Sequence, residues 1–450
     1  MKEHYDLFVI GTGTAGQIVS TTCSDAGWKV AIADHREYGG TCPNRGCIPK
    51  KVLVGITDAI EIASNLEGHG IKKAPTVVWE DLQRFKYEFV YNVPAGTEEK
   101  LRKAGVKMYH QSPQFVNENE LIVEGKNVTA DKIVIATGLQ PRELKIPGRE
   151  HLKTSDDFLS LEKLPSTIVF VGGGYIGMEF SHIAASSGAK VTVIDSGKQI
   201  LHQFDPDLAS LLQEQSIEKG IDFITETKVV EVEKLRKNYR VIGKTKHGKT
   251  VEVKAEMVFN TAGRVPAIDQ LALTDGNVAS EKHGITVNEF LQSTTNPNVY
   301  ACGDVAASGF PPLTPLSTKE ANIVAHNLLH GNSEKAEFPP VPSAVFTQPQ
   351  LASTGLSEAE AKKMGKNVHV EFENMPQKYN SRRMNQNSYA YKTIVDKESG
   401  LVLGAHLLSA NAAETINLFV MAMCGQLTCE TIKNMMFTYP SWSSDIRSML

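Results

Sequence analysis

Two thiols five positions apart, Cys42 and Cys47, stand in the run Gly39-Gly40-Thr41-Cys42-Pro43-Asn44-Arg45-Gly46-Cys47-Ile48-Pro49-Lys50-Lys51. A pair so placed in a glycine-rich loop is suited to cycling between dithiol and disulfide. Six Cys in 450 residues are too few for a disulfide scaffold, so this pair is read as chemistry. Cys23, Cys302, Cys424 and Cys429 are expected to be small buried hydrophobes. Cys424 and Cys429 have no His or acid at ligand spacing, and no metal site is expected.

Two further constellations would hold phosphates. Gly11-Thr12-Gly13-Thr14-Ala15-Gly16 follows an apolar strand, opens a helix and precedes a second strand ending at Asp34. Gly172-Gly173-Gly174-Tyr175-Ile176-Gly177 repeats the arrangement, ending at Asp195. First Gly to acid is 23 positions in both (11 to 34; 172 to 195). In each loop the first Gly permits the tight turn, the second lets backbone approach a pyrophosphate, and the third lets helix pack on strand. The helix N-terminus turns N–H groups toward the phosphates, and the acid accepts from a ribose hydroxyl. Strand, turn, helix and acid in that order make these dinucleotide sites rather than generic glycine turns.

The elements that must position these residues are legible in outline. Lys132–Thr137 and Met257–Ala262 are apolar strands ending in the turns Thr137-Gly138 and Ala262-Gly263-Arg264; Asn298–Cys302 runs to Gly303-Asp304. From about residue 340 the pattern changes to period-two strands, Tyr389 to Val395 and Leu401 to Leu408, with helices at about 412–425 and 428–435, a separate α+β domain. The basic run Lys234–Arg240 reads as a solvated hairpin tip. At this length several domains are expected. Net charge is −4, which leaves no basic field for nucleic acid or an anionic membrane. No apolar run approaches the ~18 residues of a membrane helix. The chain enters the strand Tyr5–Ile10 at once, without the charged and apolar regions of a secretory signal, so a cytoplasmic location is expected.

The cysteine loop closely resembles the active-site signature of the class I pyridine nucleotide-disulfide oxidoreductases, which include dihydrolipoamide dehydrogenases, glutathione reductases and mercuric reductases. The Thr-Gly turns, Ala262-Gly263-Arg264, Gly303-Asp304 and Leu313-Thr314-Pro315 match in order over essentially the whole chain. The resemblance implies an α/β fold with two Rossmann-like domains, for FAD and NAD(P), plus a C-terminal α+β dimerisation domain. Its boundaries here are 1–148 and 265–335 for the FAD domain, 149–264 for the NAD(P) domain and 336–450 for the interface domain. It also implies a homodimer in which each active site borrows C-terminal residues from the partner.

By the same resemblance Cys47 faces the flavin and Cys42 meets substrate, with Lys50 and Lys51 favouring a thiolate. Glu179 would pair with one of those two lysines beside flavin N5. Tyr175 would cover the flavin until nicotinamide displaces it, and Asp304 would bind the ribityl chain. Leu313-Thr314 would begin a helix aimed at the flavin pyrimidine end, and Gly11, Gly13, Gly16, Asp34, Thr41, Thr137, Gly138 and Gly263 would complete the FAD site. Gly172, Gly174, Gly177 and Asp195 would hold the nicotinamide dinucleotide. Lys50 and Lys51 as ordinary helix-surface charge, and Tyr175 as core packing, are the plainer readings. A carboxylate at 195 accepts from the 2′-hydroxyl of NADH and repels the 2′-phosphate of NADPH, which favours NADH; Lys198 would soften the rejection.

The pattern breaks at the C-terminus. Dithiol-disulfide members carry His-Pro-Thr-x-x-Glu, whose His is the substrate's general base. Here the stretch is Tyr439-Pro440-Ser441-Trp442-Ser443-Ser444-Asp445. A phenol titrates near ~10 against ~6.5 for imidazole, so Tyr439 is a poor base at neutral pH and is suited instead to donating a hydrogen bond or stacking with Trp442. Ser444 stands where the orienting acid belongs, and Asp445 lies one position late. Thr21 and Asn322 replace the arginines that hold glutathione, and the terminal Ser448-Met449-Leu450 lacks the extra cysteines of mercuric reductases. Soluble transhydrogenases show Tyr-Pro here but have lost the cysteine pair. The sequence therefore predicts an NADH-linked flavoprotein passing electrons through Cys42–Cys47 to a small acceptor: a disulfide, quinone, metal ion or oxidant. Two alternatives stand beside it. One is a direct flavin dehydrogenase or transhydrogenase with a vestigial cysteine pair; the other is an FAD- and NADH-binding sensor.

Overall fold

The computed structural model describes residues 2–450 and divides into two compact units. One comprises residues 2–50, 84–142 and 264–337; the other comprises 51–83, 143–263 and 338–450.

The first unit is built on a seven-stranded sheet. Its parallel part runs Lys107–Tyr109, Val30–Ala33, Glu3–Ile10, Lys126–Ile135 and Val299–Ala301. Glu120–Val123 and Gln114–Asn117 continue it antiparallel from Lys126–Ile135, whose other edge segment is shared with Val299–Ala301. Val30–Ala33 is buried throughout, the continuous apolar run of a strand covered on both faces. Register does the positioning. Ile10 pairs with both Ala33 and Ile135, and Ile135 pairs with Ala301. Gly11, Asp34, the Ala136–Gly138 turn and the Cys302–Asp304 turn therefore leave the sheet at one edge, the carboxyl ends where open α/β sheets bind ligands.

The second unit repeats the device on a four-stranded parallel sheet, ordered Ile221–Ile224, Lys190–Ile194, Thr167–Val171, Met257–Asn260. Val171 pairs with Ile194 and with Asn260, so Gly172, Asp195 and Thr261 emerge level. Its core stacks Phe158 on Phe180 at 4.2 Å between ring centroids, with Phe170 and Phe259 packed edge-on to Phe158. The strands Thr227–Lys234 and Tyr239–Thr245 form the expected hairpin around the basic run.

A five-stranded antiparallel sheet holds the C-terminal strands, Ala390–Asp396 and Val402–Ser409, followed by helices Ala412–Cys424 and Cys429–Asn434. These lie within a residue or two of the sequence reading. Lys392, 4% exposed, is tied to the buried Asp205 at 2.9 Å and to Asp207. Asp205 also caps the helix Pro206–Glu218 by accepting from the Asp207 and Leu208 amides. One expectation is corrected. Cys23 and Cys302 are buried, but Cys424 is exposed and Cys429 only half-buried at the edge of the C-terminal core, because they flank the turn between the helices Ala412–Cys424 and Cys429–Asn434. Among the described residues, no helix is long and apolar enough to cross a membrane.

Candidate active site

Gly39 and Gly40 both take positive φ, and a Cβ on Gly40 would lie 2.4 Å from Cα of Gly13. The cysteine loop thus presses directly on the first glycine turn. Thr41 opens a short helix, Thr41–Arg45, that carries Cys42, and Cys47 begins the long helix Cys47–Asn65. Asn44 braces the loop by donating to the carbonyls of Tyr38 and Gly40. Both cysteines are thiols, Cys42 half-buried and Cys47 exposed. They hydrogen-bond to each other, and that bond, followed by burial, pushes the Cys42 thiol well above its ordinary value; the Thr314 hydroxyl pulls it back. Cys47 Sγ lies 3.7 Å from Thr314 Oγ1. Lys50, one turn on, is half-buried, its amide donating to the Gly46 carbonyl.

The first nucleotide cradle forms around Gly11, whose φ is 110° and whose added Cβ would sit 2.3 Å from the Ala136 carbonyl oxygen. Gly13 is the N-cap of the helix Thr14–Asp25, and a Cβ on Gly16 would strike the Gly11 carbonyl at 1.9 Å. Asp34 is joined to the loop, its Oδ2 accepting from the Thr12 amide at 2.8 Å and the Thr12 hydroxyl at 2.7 Å. Gly138 turns the neighbouring strand out with φ 65°. The Thr137 hydroxyl oxygen beside it is buried with no hydrogen-bond partner among the described residues. A buried hydroxyl left without a protein partner calls for a ligand or a water. The glycine approach, the helix N-terminus and this hydroxyl fit a dinucleotide such as FAD.

Asp304 accepts from the Ser317 hydroxyl at 3.2 Å, and burial raises its carboxyl against the pull of that bond and of Arg264. Leu313 is the N-cap and Thr314 the first residue of the helix Thr314–His330. That helix holds a residue the sequence reading missed. Glu320, 3% exposed, accepts from the Gly303 amide and the Ser308 hydroxyl, each at 2.7 Å, and burial lifts its carboxyl to about 7. No motif marks it, because an acid inside an amphipathic helix looks like surface charge until its neighbours are known.

The second cradle has the same parts. A Cβ on Gly172 would lie 2.6 Å from the Thr261 carbonyl oxygen and one on Gly177 2.1 Å from that of Gly172. Gly174, the N-cap of the helix Tyr175–Ser186, has open space above it. Asp195 accepts from the Gly173 and Gly197 amides, both at 2.6 Å. Gly263 takes φ 111° at the next strand end. Tyr175 is 44% exposed, which excludes core packing as its role. Glu179, one turn on, is 4% exposed, and its Oε1 accepts from the Phe346 amide at 3.0 Å. Lys51 Nζ sits over the Phe346 ring, 4.0 Å from its centroid.

At the C-terminus Tyr439 is 78% exposed, on a cleft of about 540 Å³ shared with Lys433, Phe437, Ser444, Asp445 and Arg447. Asp445 does not serve it: its Oδ2 accepts from the Tyr389 hydroxyl at 2.8 Å and from the Asn380 amide at 2.9 Å. Ser444 donates to the Ser441 carbonyl at 2.6 Å. Trp442 stands edge-on to Tyr389 at 5.1 Å rather than forming a wall with Tyr439.

Residues 5–325 match the family model described as pyridine nucleotide-disulphide oxidoreductase, and residues 341–450 match that family's dimerisation domain. The chain belongs to this family. It is similar to glutathione reductase of a Nostoc species, at 33% identity covering 92% of this chain and 93% of the relative. It is similar to dihydrolipoyl dehydrogenase of Bacillus subtilis, at 29% identity over 99% and 97%. Among solved structures it resembles the HOCl-induced flavoprotein disulfide reductase RclA from Escherichia coli, with TM-score 0.86 and 28% identity over 99% of both chains, a protein also solved as a Cu(II) complex. As a pyridine nucleotide-disulphide oxidoreductase the chain is a flavoprotein oxidoreductase of the two-Rossmann fold with a C-terminal dimerisation domain, and membership supports FAD as its cofactor.

Proposed function

We propose that the chain is an NADH-linked flavin disulfide reductase whose electrons leave through Cys42 and Cys47 to an acceptor that needs little acid-base help. The observation that carries this reading is the thiol-to-thiol hydrogen bond between Cys42 and Cys47 with Thr314 beside it, an arrangement a vestigial pair has no reason to keep. When bound, FAD supplies the hydride acceptor and the relay of the electron pair to sulfur. Asp195 takes the adenine ribose 2′-hydroxyl of NADH, and Tyr175 swings aside to admit the nicotinamide. Glu179, with Lys50 or Lys51, would set the charge beside the flavin, while Asp34, Thr41, Thr137 and Asp304 would hold the cofactor. NADH and one proton reduce the Cys42–Cys47 disulfide, breaking its S–S bond and leaving NAD⁺ and the dithiol. Cys42 then attacks or binds the acceptor, and Cys47 closes the disulfide again.

The acceptor class follows from what the C-terminal turn lacks. Position 439 supplies no imidazole base and no acid orients its side chain, which disfavours glutathione disulfide and dihydrolipoamide. An activated disulfide, a quinone, a metal ion or an oxidant needs no such base. A relative induced by HOCl and solved with Cu(II) supports the last two. The reading includes a cytoplasmic homodimer, with FAD domain 1–148 and 265–335, NAD domain 149–264 and interface domain 336–450.

Anaerobic titration of the FAD-loaded protein with NADH, repeated with NADPH, tests the reading. A long-wavelength thiolate-to-flavin charge-transfer band after two electrons is expected, at lower concentration of NADH than of NADPH. Bleaching of the flavin with no such band would remove the cysteines from the path and leave a direct flavin dehydrogenase.

A further inference from the structure

The helix bearing Glu179 also carries His182, one turn on and on the same face. His182 is 3% exposed. Its Nε2 lies 3.0 Å from the Ser216 hydroxyl, and that hydroxyl donates to the Leu212 carbonyl. Ser216 therefore accepts from His182, which places the ring proton on Nε2 and leaves Nδ1 as a bare acceptor. Nδ1 receives the Gln348 amide at 3.2 Å. Burial drives the imidazole down to about 3, so it stays neutral and keeps this tautomer throughout the working range.

The segment 346–348 thus meets this helix in two rungs, the Phe346 amide on Glu179 and the Gln348 amide on His182. It meets the helix Cys47–Asn65 in two more. Lys51 lies over the Phe346 ring, and Asp58, two turns on, accepts from the Gln348 side-chain amide. Neither the cysteine signature nor the glycine loops include His182, Gln348 or Asp58.

We propose that His182, Gln348 and Asp58 are positioning residues for hydride delivery: they clamp the 346–348 segment so that the Phe346 amide fixes the Glu179 carboxylate in one orientation. This rests on the reading of Glu179 as the acid beside the flavin. A carboxylate fixed at a reacting centre loses rate steeply when its support shifts, on the order of a hundredfold for a displacement near 1 Å.

The test compares His182→Phe with His182→Asn in the FAD-loaded protein. Phe keeps the bulk and loses the acceptor; Asn places Oδ1 about where Nδ1 was. Stopped-flow reduction of the flavin by NADH is expected to slow at least about tenfold in His182→Phe and to recover to within about threefold of wild type in His182→Asn. Reoxidation of chemically reduced enzyme by a fixed acceptor should be unchanged in both. Amide hydrogen exchange supplies a readout apart from activity: protection at Phe346 and Gln348 should fall in His182→Phe and persist in His182→Asn. Wild-type reduction rates in both variants would overturn the proposal, as would equal slowing of reduction and reoxidation. Should His182→Phe not fold, Asp58→Leu against Asp58→Asn cuts the clamp from the other helix with the same expectations and the same overturning results. Because flavin reduction precedes the dithiol, loss of the wild-type charge-transfer band would sink the function reading without touching this one.

Discussion

Asp195 Oδ2 accepts the Gly173 amide at 2.6 Å, so the acid proposed to read the ribose and the loop proposed to hold the pyrophosphate are mechanically one piece. Its Oδ1 receives the Gly197 amide at the same distance. A carboxylate held by two backbone donors cannot swing away from an incoming 2′-phosphate.

Asp195→Ser is therefore expected to lower kcat/KM for NADH about tenfold and to narrow the gap to NADPH, since a charge-assisted hydrogen bond is worth ~1.5–3 kcal/mol. Steady-state kinetics with both nucleotides and a dye acceptor checks this. An unchanged ratio would remove Asp195 from nucleotide choice.

Cys42→Ser should cut turnover with the physiological class of acceptor by at least about a hundredfold while NADH still reduces the flavin. Its spectrum should also show the charge-transfer band without reduction, because Cys47, left with no partner to form a disulfide, stays free in the oxidised protein. Full turnover in this variant would mean the pair is bypassed.

Tyr439→Phe is expected to change turnover less than about threefold, because no acid orients the hydroxyl for proton transfer. Tyr439→His combined with Ser444→Glu should instead raise dihydrolipoamide activity and bring in a pH dependence near ~6.5, the titration of a new imidazole. Activity profiles from pH 5 to 9 distinguish the two.

Glu320 gives a stability signature. Its carboxyl is lifted from 4.5 to about 7 in the fold, so above pH 4.5 the folded form binds more protons than the unfolded one. Its unfavourable contribution therefore grows as pH rises from 4.5 to 7 and is constant above that. Glu320→Gln should stabilise the FAD-loaded protein relative to wild type at pH 8 but not at pH 4.5, by on the order of 2 kcal/mol. Thermal midpoints at the two pH values measure it.

Lys392→Met should destabilise by ~3–5 kcal/mol, because it strands the buried Asp205 carboxylate without its cation. Urea unfolding checks this. Lys392→Met with Asp205→Asn should regain part of the loss.

The parts of the site that the chain carries in one stretch were legible before any coordinates. Cys42 to Lys51 and both glycine loops announce themselves because phosphate approach and thiol exchange demand fixed residue types at fixed spacing. Helical and strand periods likewise placed the C-terminal elements to within a residue or two. What stayed hidden depends on partners far apart in the chain. Glu320 meets Gly303 and Ser308, and His182 meets Gln348 across 166 positions; none of them has a local pattern. The environments of Cys424 and Cys429 were misjudged because cysteine's average burial says nothing about a particular helix turn. The sequence shows Asp445 only as an acid one position late; its bonds to Tyr389 and Asn380, 56 and 65 positions away, are what turn it inward.

That inward-facing carboxylate separates two jobs that the homologous motif usually combines. Anchoring of the terminal turn falls to Asp445 with its two interior partners and to the reciprocal Ser441–Ser444 bonds, while Tyr439 stands exposed on the cleft. On the proposed reading the exit end of the electron path is thus interchangeable: acceptor preference would be rewritten at positions 439 and 444 while the flavin, nucleotide and dithiol machinery is left as it stands.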